Sequence, residues 1–144
     1  MSTEKKPDLV IVTDAAFSET TKQCGISAVL LDDEGKPRWV VGRQEEASSN
    51  EEGELRAILF ALEEIPDENT SILLQSDNKN AVTYLNNEGR GSEAVMCYVR
   101  KIWNRIEQKN LHVEFVWQTR NHNEIADAIA AVSTRTSVWA RLDQ

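Results

Sequence analysis

The chain has 144 residues, with 16 Lys and Arg against 24 Asp and Glu, a formal net charge of −8. That length supports one domain able to bury roughly two-thirds of its unfolded surface, and the acidity excludes a broad basic face that grips nucleic acid by phosphate neutralisation, though not a site where metal ions neutralise the phosphate. Cys24 and Cys97 set no disulfide framework and no metal-ligand spacing, and no apolar run approaches a membrane span, so the expectation is an intracellular chain, cytoplasmic or nuclear, not secreted and without membrane contact.

Residues 1–8 read as a disordered tail. Leu9 to Thr13 is a run of apolar and β-branched residues that ends on Asp14, the pattern of a buried central strand reaching the rim of a sheet. Gly25 to Leu31 reads as a second strand, Asp32-Asp33-Glu34-Gly35 as a turn, and Arg38 to Gly42 as a third strand, so the first three runs form an antiparallel meander. The period then changes. Leu55, Ile58, Leu59, Leu62 and Ile65 recur at helical spacing, with Ser49 or Asn50 as cap, acids in the first turn and Pro66 as terminator. Glu54 shares its helix face with Ala57 and Ala61, which allow close approach to a neighbouring strand.

Ile72 to Ser76 is the fourth strand and delivers Asp77 at its carboxyl end; Asn78 to Asn86 is a short helix and Glu93 to Gln108 a longer one. Leu111 to Trp117 alternates as a fifth strand, and Asn123 to Val132 is a final helix carrying Asp127 between alanines. Residues 133–144 read as a polar C-terminal extension on which Val138 and Trp139 dock. The expectation is therefore a domain over 9–132 with an α/β fold: a five-stranded mixed sheet, three antiparallel strands then two parallel ones, with helices on both faces. Right-handed crossovers place strand four beside strand one and strand five beyond it.

Asp14 and Asp77 then stand side by side, with Glu54 leaning toward them and Asp127 at the same rim. Four carboxylates on separate elements repel one another unless cations share them. The donor set is all oxygen, which suits two Mg²⁺ ions, with Mn²⁺ as a substitute, in an in-line displacement at phosphorus. Other acids, Glu45, Glu46, Glu51 and Glu52 among them, read as solvated faces. Base is richest at Arg90, Arg100, Lys101, Arg105 and Lys109, the one stretch that could track a nucleic-acid backbone. Trp103 and Trp117 fall on apolar patterns and read as core. Trp139, near Arg135 and Arg141, is the candidate for an exposed contact.

Val12-Thr13-Asp14, Ser49-Asn50 with Glu54-Leu55-Arg56-Ala57, Ser76-Asp77 and Asn123-Glu124-Ile125-Ala126-Asp127 resemble, in order, the four motifs of the ribonuclease H family. Ser76-Asp77-Asn78, Ala81 to Asn86 and Ile102-Trp103 resemble more narrowly the ribonuclease H domains of retroelement reverse transcriptases. The resemblance implies Mg²⁺-dependent endonucleolytic cleavage of the RNA strand of RNA·DNA hybrids, with a reverse transcriptase polymerase domain as a potential partner. It carries over Asp14, Glu54, Asp77 and Asp127 as catalytic metal ligands, and Ser49, Asn50 and Asn78 as substrate contacts. Glu51 departs from the family, which often has Asn or Gln there, and His122, immediately before Asn123, is not assigned the role of the family's mobile loop histidine. The competing reading is a catalytically inactive scaffold of the same fold in a nucleoprotein assembly. An exonuclease would need an acid two residues after Asp14, where Ala16 stands.

Overall fold

The computed structural model describes residues 6–119 and 123–142. The elements run β1 (Leu9–Phe17), β2 (Gln23–Leu31), β3 (Pro37–Glu46), α1 (Asn50–Glu64), β4 (Ser71–Ser76), α2 (Lys79–Leu85), α3 (Glu93–Lys109), β5 (His112–Trp117), α4 (Glu124–Val132) and β6 (Val138–Arg141). One mixed sheet has the order β5-β4-β1-β2-β3-β6. β1 pairs antiparallel with β2 and parallel with β4, and β5 runs parallel to β4.

The five expected strands and their order are present, and a sixth is added. Val138–Arg141 pairs antiparallel with β3, Val40 facing Ala140 and Val41 facing Trp139, so the stretch read as a polar extension contributes an edge strand. At the other terminus Asp8 is tied to β4, its amide donating to the Ser71 carbonyl at 2.8 Å and its carboxylate accepting from the Ser71 amide at 2.9 Å. The expected tail is thus anchored at its last residue, while residues 1–5 lie outside the described part.

Helices cover both faces, unequally. Against α1, α2 and α3 lies the larger core, including Ile11, Ile26, Leu55, Ile58, Leu74 and Ile102. Against α4 lies a small one of Val12, Val29, Val40 and Ala126. A short cover succeeds only if it sits very close, and small residues permit that: a Cβ added at Gly25 would overlap the Ala130 carbonyl oxygen and come within 2.6 Å of the Thr134 amide. Two buried polar groups fasten the same helix. Ser27 Oγ donates to the Ala126 carbonyl at 2.6 Å, and Asn123 Nδ2 donates to the Thr13 carbonyl at 3.3 Å.

The helix starts follow their cap residues. Ser49 accepts from the Glu52 amide ahead of α1, Asn78 from the Ala81 amide ahead of α2, and Ser92 from the Val95 amide ahead of α3. Glu52 corrects the reading of these acids as solvated. Its carboxylate is buried, accepting from the Ser48 hydroxyl at 2.8 Å and from Arg56 Nε at 3.1 Å, which braces the first turn of α1 from outside. The thiol of Cys24, fully buried beneath that turn, is pushed up to about 12 by burial and then by Glu54, the condition of an inert core cysteine.

Candidate active site

The acids gather where β4 ends and β1 runs on to Phe17 paired with β2, past the Asp14 at which the sequence pattern ended the strand. The parallel register sets Thr13 beside Ser76, so Asp14, within β1, and Asp77, just past β4, stand side by side. From the helical side α1 contributes Glu54, whose neighbours Ala57 and Ala61 are fully buried and let the helix close on the sheet. Asp14, Glu54 and Asp77 each present a carboxylate oxygen within 4.8 Å of the other two. α4 brings Asp127 to Asp14, close enough for a carboxyl–carboxyl hydrogen bond.

Burial gives the cluster its chemistry. Asp14 is 1% exposed and Glu54 4% exposed. Removal from water, then the charge of Asp77, raises the Asp14 carboxyl from its ordinary 3.8 to about 8, with Asp127 adding to the rise and the Ala15 amide opposing it. Asp14 Oδ2 is buried with no hydrogen-bond partner among the described residues. A native fold seldom leaves a carboxylate oxygen in that condition. The unspent acceptor belongs to one of three converging carboxylates, an all-oxygen group that could hold a metal ion.

Beside the acids lies a recess of about 330 Å³ lined by Ala15, Asn50, Glu54, Asp77, Asn78, Trp117 and Thr119. Of the expected substrate contacts, Asn50 and Asn78 face it, although Asn78 Oδ1 also caps α2. Ser49 is not among its lining residues, and its hydroxyl caps α1. Glu51 turns away toward α2, accepting from Asn80 Nδ2 at 2.9 Å and from the Tyr84 hydroxyl at 3.4 Å. His122 lies outside the described residues. A larger recess of about 470 Å³ sits at the opposite end of β4 and β5, between Ser71, Trp103, Ile106 and His112, and holds no comparable group of acids among the described residues.

Two readings are corrected here. Trp117, expected in the core, is 45% exposed and lines the acidic recess; it ends the edge strand β5, where alternation specifies a face but not how completely that face is covered. Trp103 is 42% exposed but packs edge-on against Phe115 and donates its indole N–H to the Leu85 carbonyl. The basic stretch is also largely occupied: Arg90 and Arg100 pair with Glu93, Arg105 pairs with Glu63, and Lys109 Nζ donates to the carbonyls of Leu62, Glu63 and Pro66 at the end of α1. Its charges hold α3 against α1 and secure its own first turn.

This sheet order, with acids converging on the rim of β1 and β4, defines a ribonuclease H-like fold. The family model of reverse transcriptase-like proteins matches residues 12–133, and the chain belongs to that family, a group of ribonuclease H-type domains. Among solved structures it is similar to a ribonuclease H1 of the archaeon Halobacterium salinarum, at 18% identity over 87% of this chain and 96% of that one, with a TM-score of 0.75. It is also similar to the N-terminal ribonuclease H domain of a Mycobacterium tuberculosis protein, at 15% identity over 90% and 94%, with a TM-score of 0.76. A ribonuclease H1 isolated from compost, solved in complex with an RNA/DNA hybrid, gives 18% identity over 88% and 96%, with a TM-score of 0.78. No curated protein matches the sequence significantly.

Proposed function

We propose that the chain is an endonuclease that hydrolyses the RNA strand of RNA·DNA hybrids in a divalent-cation-dependent reaction. The observation that carries this reading is the buried, unsatisfied Oδ2 of Asp14 at the centre of three carboxylates whose oxygens lie within 4.8 Å of one another. Family membership and the hybrid seen in the compost enzyme's complex support the choice of substrate.

Asp14, Glu54, Asp77 and Asp127 would hold two Mg²⁺ ions, which supply a deprotonated water at neutral pH and neutralise the leaving oxygen. Asp14 gives up its proton when they load, so loading improves as pH rises toward 8. Asn50 and Asn78 offer amide groups to the sugar and phosphate of the strand lying in the recess. Ser27 and Asn123 fix the position of Asp127 by pinning α4 to β2 and β1. The setting favoured by the family is a reverse transcriptase, with a polymerase module holding the same hybrid. The alternative of an inert scaffold draws on the occupied basic side chains of α3; it gives no use for a repulsive buried cluster.

An end-labelled RNA·DNA hybrid incubated with the chain in Mg²⁺ or Mn²⁺, beside duplex RNA and duplex DNA, tests the reading. Internal cuts confined to RNA in the hybrid are expected, and Asp77→Asn abolishes them while retaining the folded circular dichroism spectrum. Undiminished cutting by Asp77→Asn would refute the assignment.

A further inference from the structure

The recess has one wall that the acid chemistry does not use. Trp117 closes β5 at its carboxyl end, nearly half exposed, in the same recess as Asp77, Asn78 and Asn50. Its orientation is fixed, because the indole Nε1–H donates to the Asp77 backbone carbonyl at 3.2 Å. With its one donor spent, the ring offers an incoming molecule only an apolar face. Lys79, in the first turn of α2, holds its ammonium 5.8 Å from the centre of that ring. Lys79 is exposed, and no carboxylate pairs with it among the described residues. The other exposed indoles differ: Trp103 is engaged with Phe115, and Trp139 stands on β6 at the opposite edge of the sheet.

We propose that Trp117 and Lys79 form a shelf that seats the strand being cut, the indole face beneath a base or sugar next to the scissile bond and the ammonium against a phosphate. The inference rests on the hybrid-cleaving reading and names the part of the site that positions its substrate. An aromatic face accepts any base, so the shelf contributes affinity and registration without sequence preference. It adjoins Asp77 through a hydrogen bond, so it bears on the cleaved strand within about one nucleotide of the acids. A ring already locked in place costs little further ordering when the strand arrives. Lys79 offers a cation at the rim that the spent charges of α3 do not.

The test measures binding of a dye-labelled RNA·DNA hybrid by anisotropy, in an Asp14→Asn background where cutting is off and repulsion is relieved, with cleavage measured in parallel on the wild-type background. Trp117→Leu is expected to raise the dissociation constant about tenfold, the scale of one lost base–aromatic stack. Trp117→Phe keeps a smaller aromatic face while losing the N–H, so it stays within about threefold. Lys79→Gln weakens binding several-fold, and Trp139→Leu leaves it unchanged. Acrylamide quenching supplies a second reading: hybrid protects a fluorophore in the parent that is missing from Trp117→Phe. Unchanged affinity in Trp117→Leu refutes the shelf, and so does a loss in Trp117→Phe as deep as in Trp117→Leu, which would assign the indole to bracing Asp77 alone. If the wild-type chain cuts hybrid while Trp117→Leu binds normally, the shelf falls and the ribonuclease reading stands. Failure of the wild type to bind or cut removes both.

Discussion

Replacing Asp14 by Asn should stabilise the metal-free protein by an amount that grows with pH. Between 3.8 and about 8 the folded chain keeps a proton on Asp14 that the unfolded chain has released. Stability therefore falls as pH climbs through that window and is level on either side of it. At about 1.4 kcal/mol per pH unit, the full interval sets a ceiling of about 6 kcal/mol. Relaxation of Asp77 and Asp127 around a charged Asp14 takes back part of it, leaving a gain on the order of 3 kcal/mol at pH 8 and on the order of 1 kcal/mol at pH 5. For a domain of this size that is a rise in Tm of roughly 10 °C at pH 8 and a few degrees at pH 5. Thermal melts of both proteins in EDTA across that range are the assay. Mg²⁺ should then raise the Tm of the wild type and leave the variant nearly unmoved. A Tm difference that is flat with pH, or a variant less stable at pH 8, would refute the electrostatic account of the cluster.

Other perturbations address how the acids are placed. Gly25→Ala forces a methyl group into the backbone of α4 near Ala130 and Thr134; a loss of about 1–3 kcal/mol in denaturant melts is expected, with cleavage falling further than stability because Asp127 rides on that helix. Ser27→Ala removes the second donor to the buried Ala126 carbonyl, which keeps its helical partner, and should cost about 0.5–1.5 kcal/mol, read the same way. Lys109→Met removes a cation bonded to three carbonyls at the end of α1; a loss of about 1–2 kcal/mol without change in hybrid cleavage is expected, and unaltered stability would show that those bonds contribute nothing net.

Most of the sheet is legible in the sequence because each central strand is a run of apolar and β-branched residues stopped by a turn or an acid. The site is legible for the same reason: Asp14 and Asp77 interrupt two such runs at their carboxyl ends, and parallel pairing does the rest. β6 escapes because Val-Trp-Ala-Arg, four residues in a polar stretch, half-buries only alternate side chains while pairing with β3 at the edge of the sheet. Glu52 escapes because it adjoins Glu51 in the acid-rich first turn of the helix, and composition alone reads both as wet. The Ser49-to-Glu52 spacing, with Arg56 one turn on, was the available signal that this one is braced. Trp117 escapes because alternation says which face a residue takes and not whether anything covers that face.

The internal pairing of Arg100, Arg105 and Lys109 has a kinetic consequence. With a net charge of −8, the chain meets a polyanionic duplex as one like charge meets another, so the approach is uphill before any contact forms. Added salt should then quicken first encounters, up to the ionic strength at which screening shrinks below contact range, opposite to the slowing expected of basic proteins. Diffusional capture is a poor route for such a molecule. A tether to anything already resting on the same duplex would hold it there at millimolar effective concentration, and would replace by proximity an attraction that the net charge opposes.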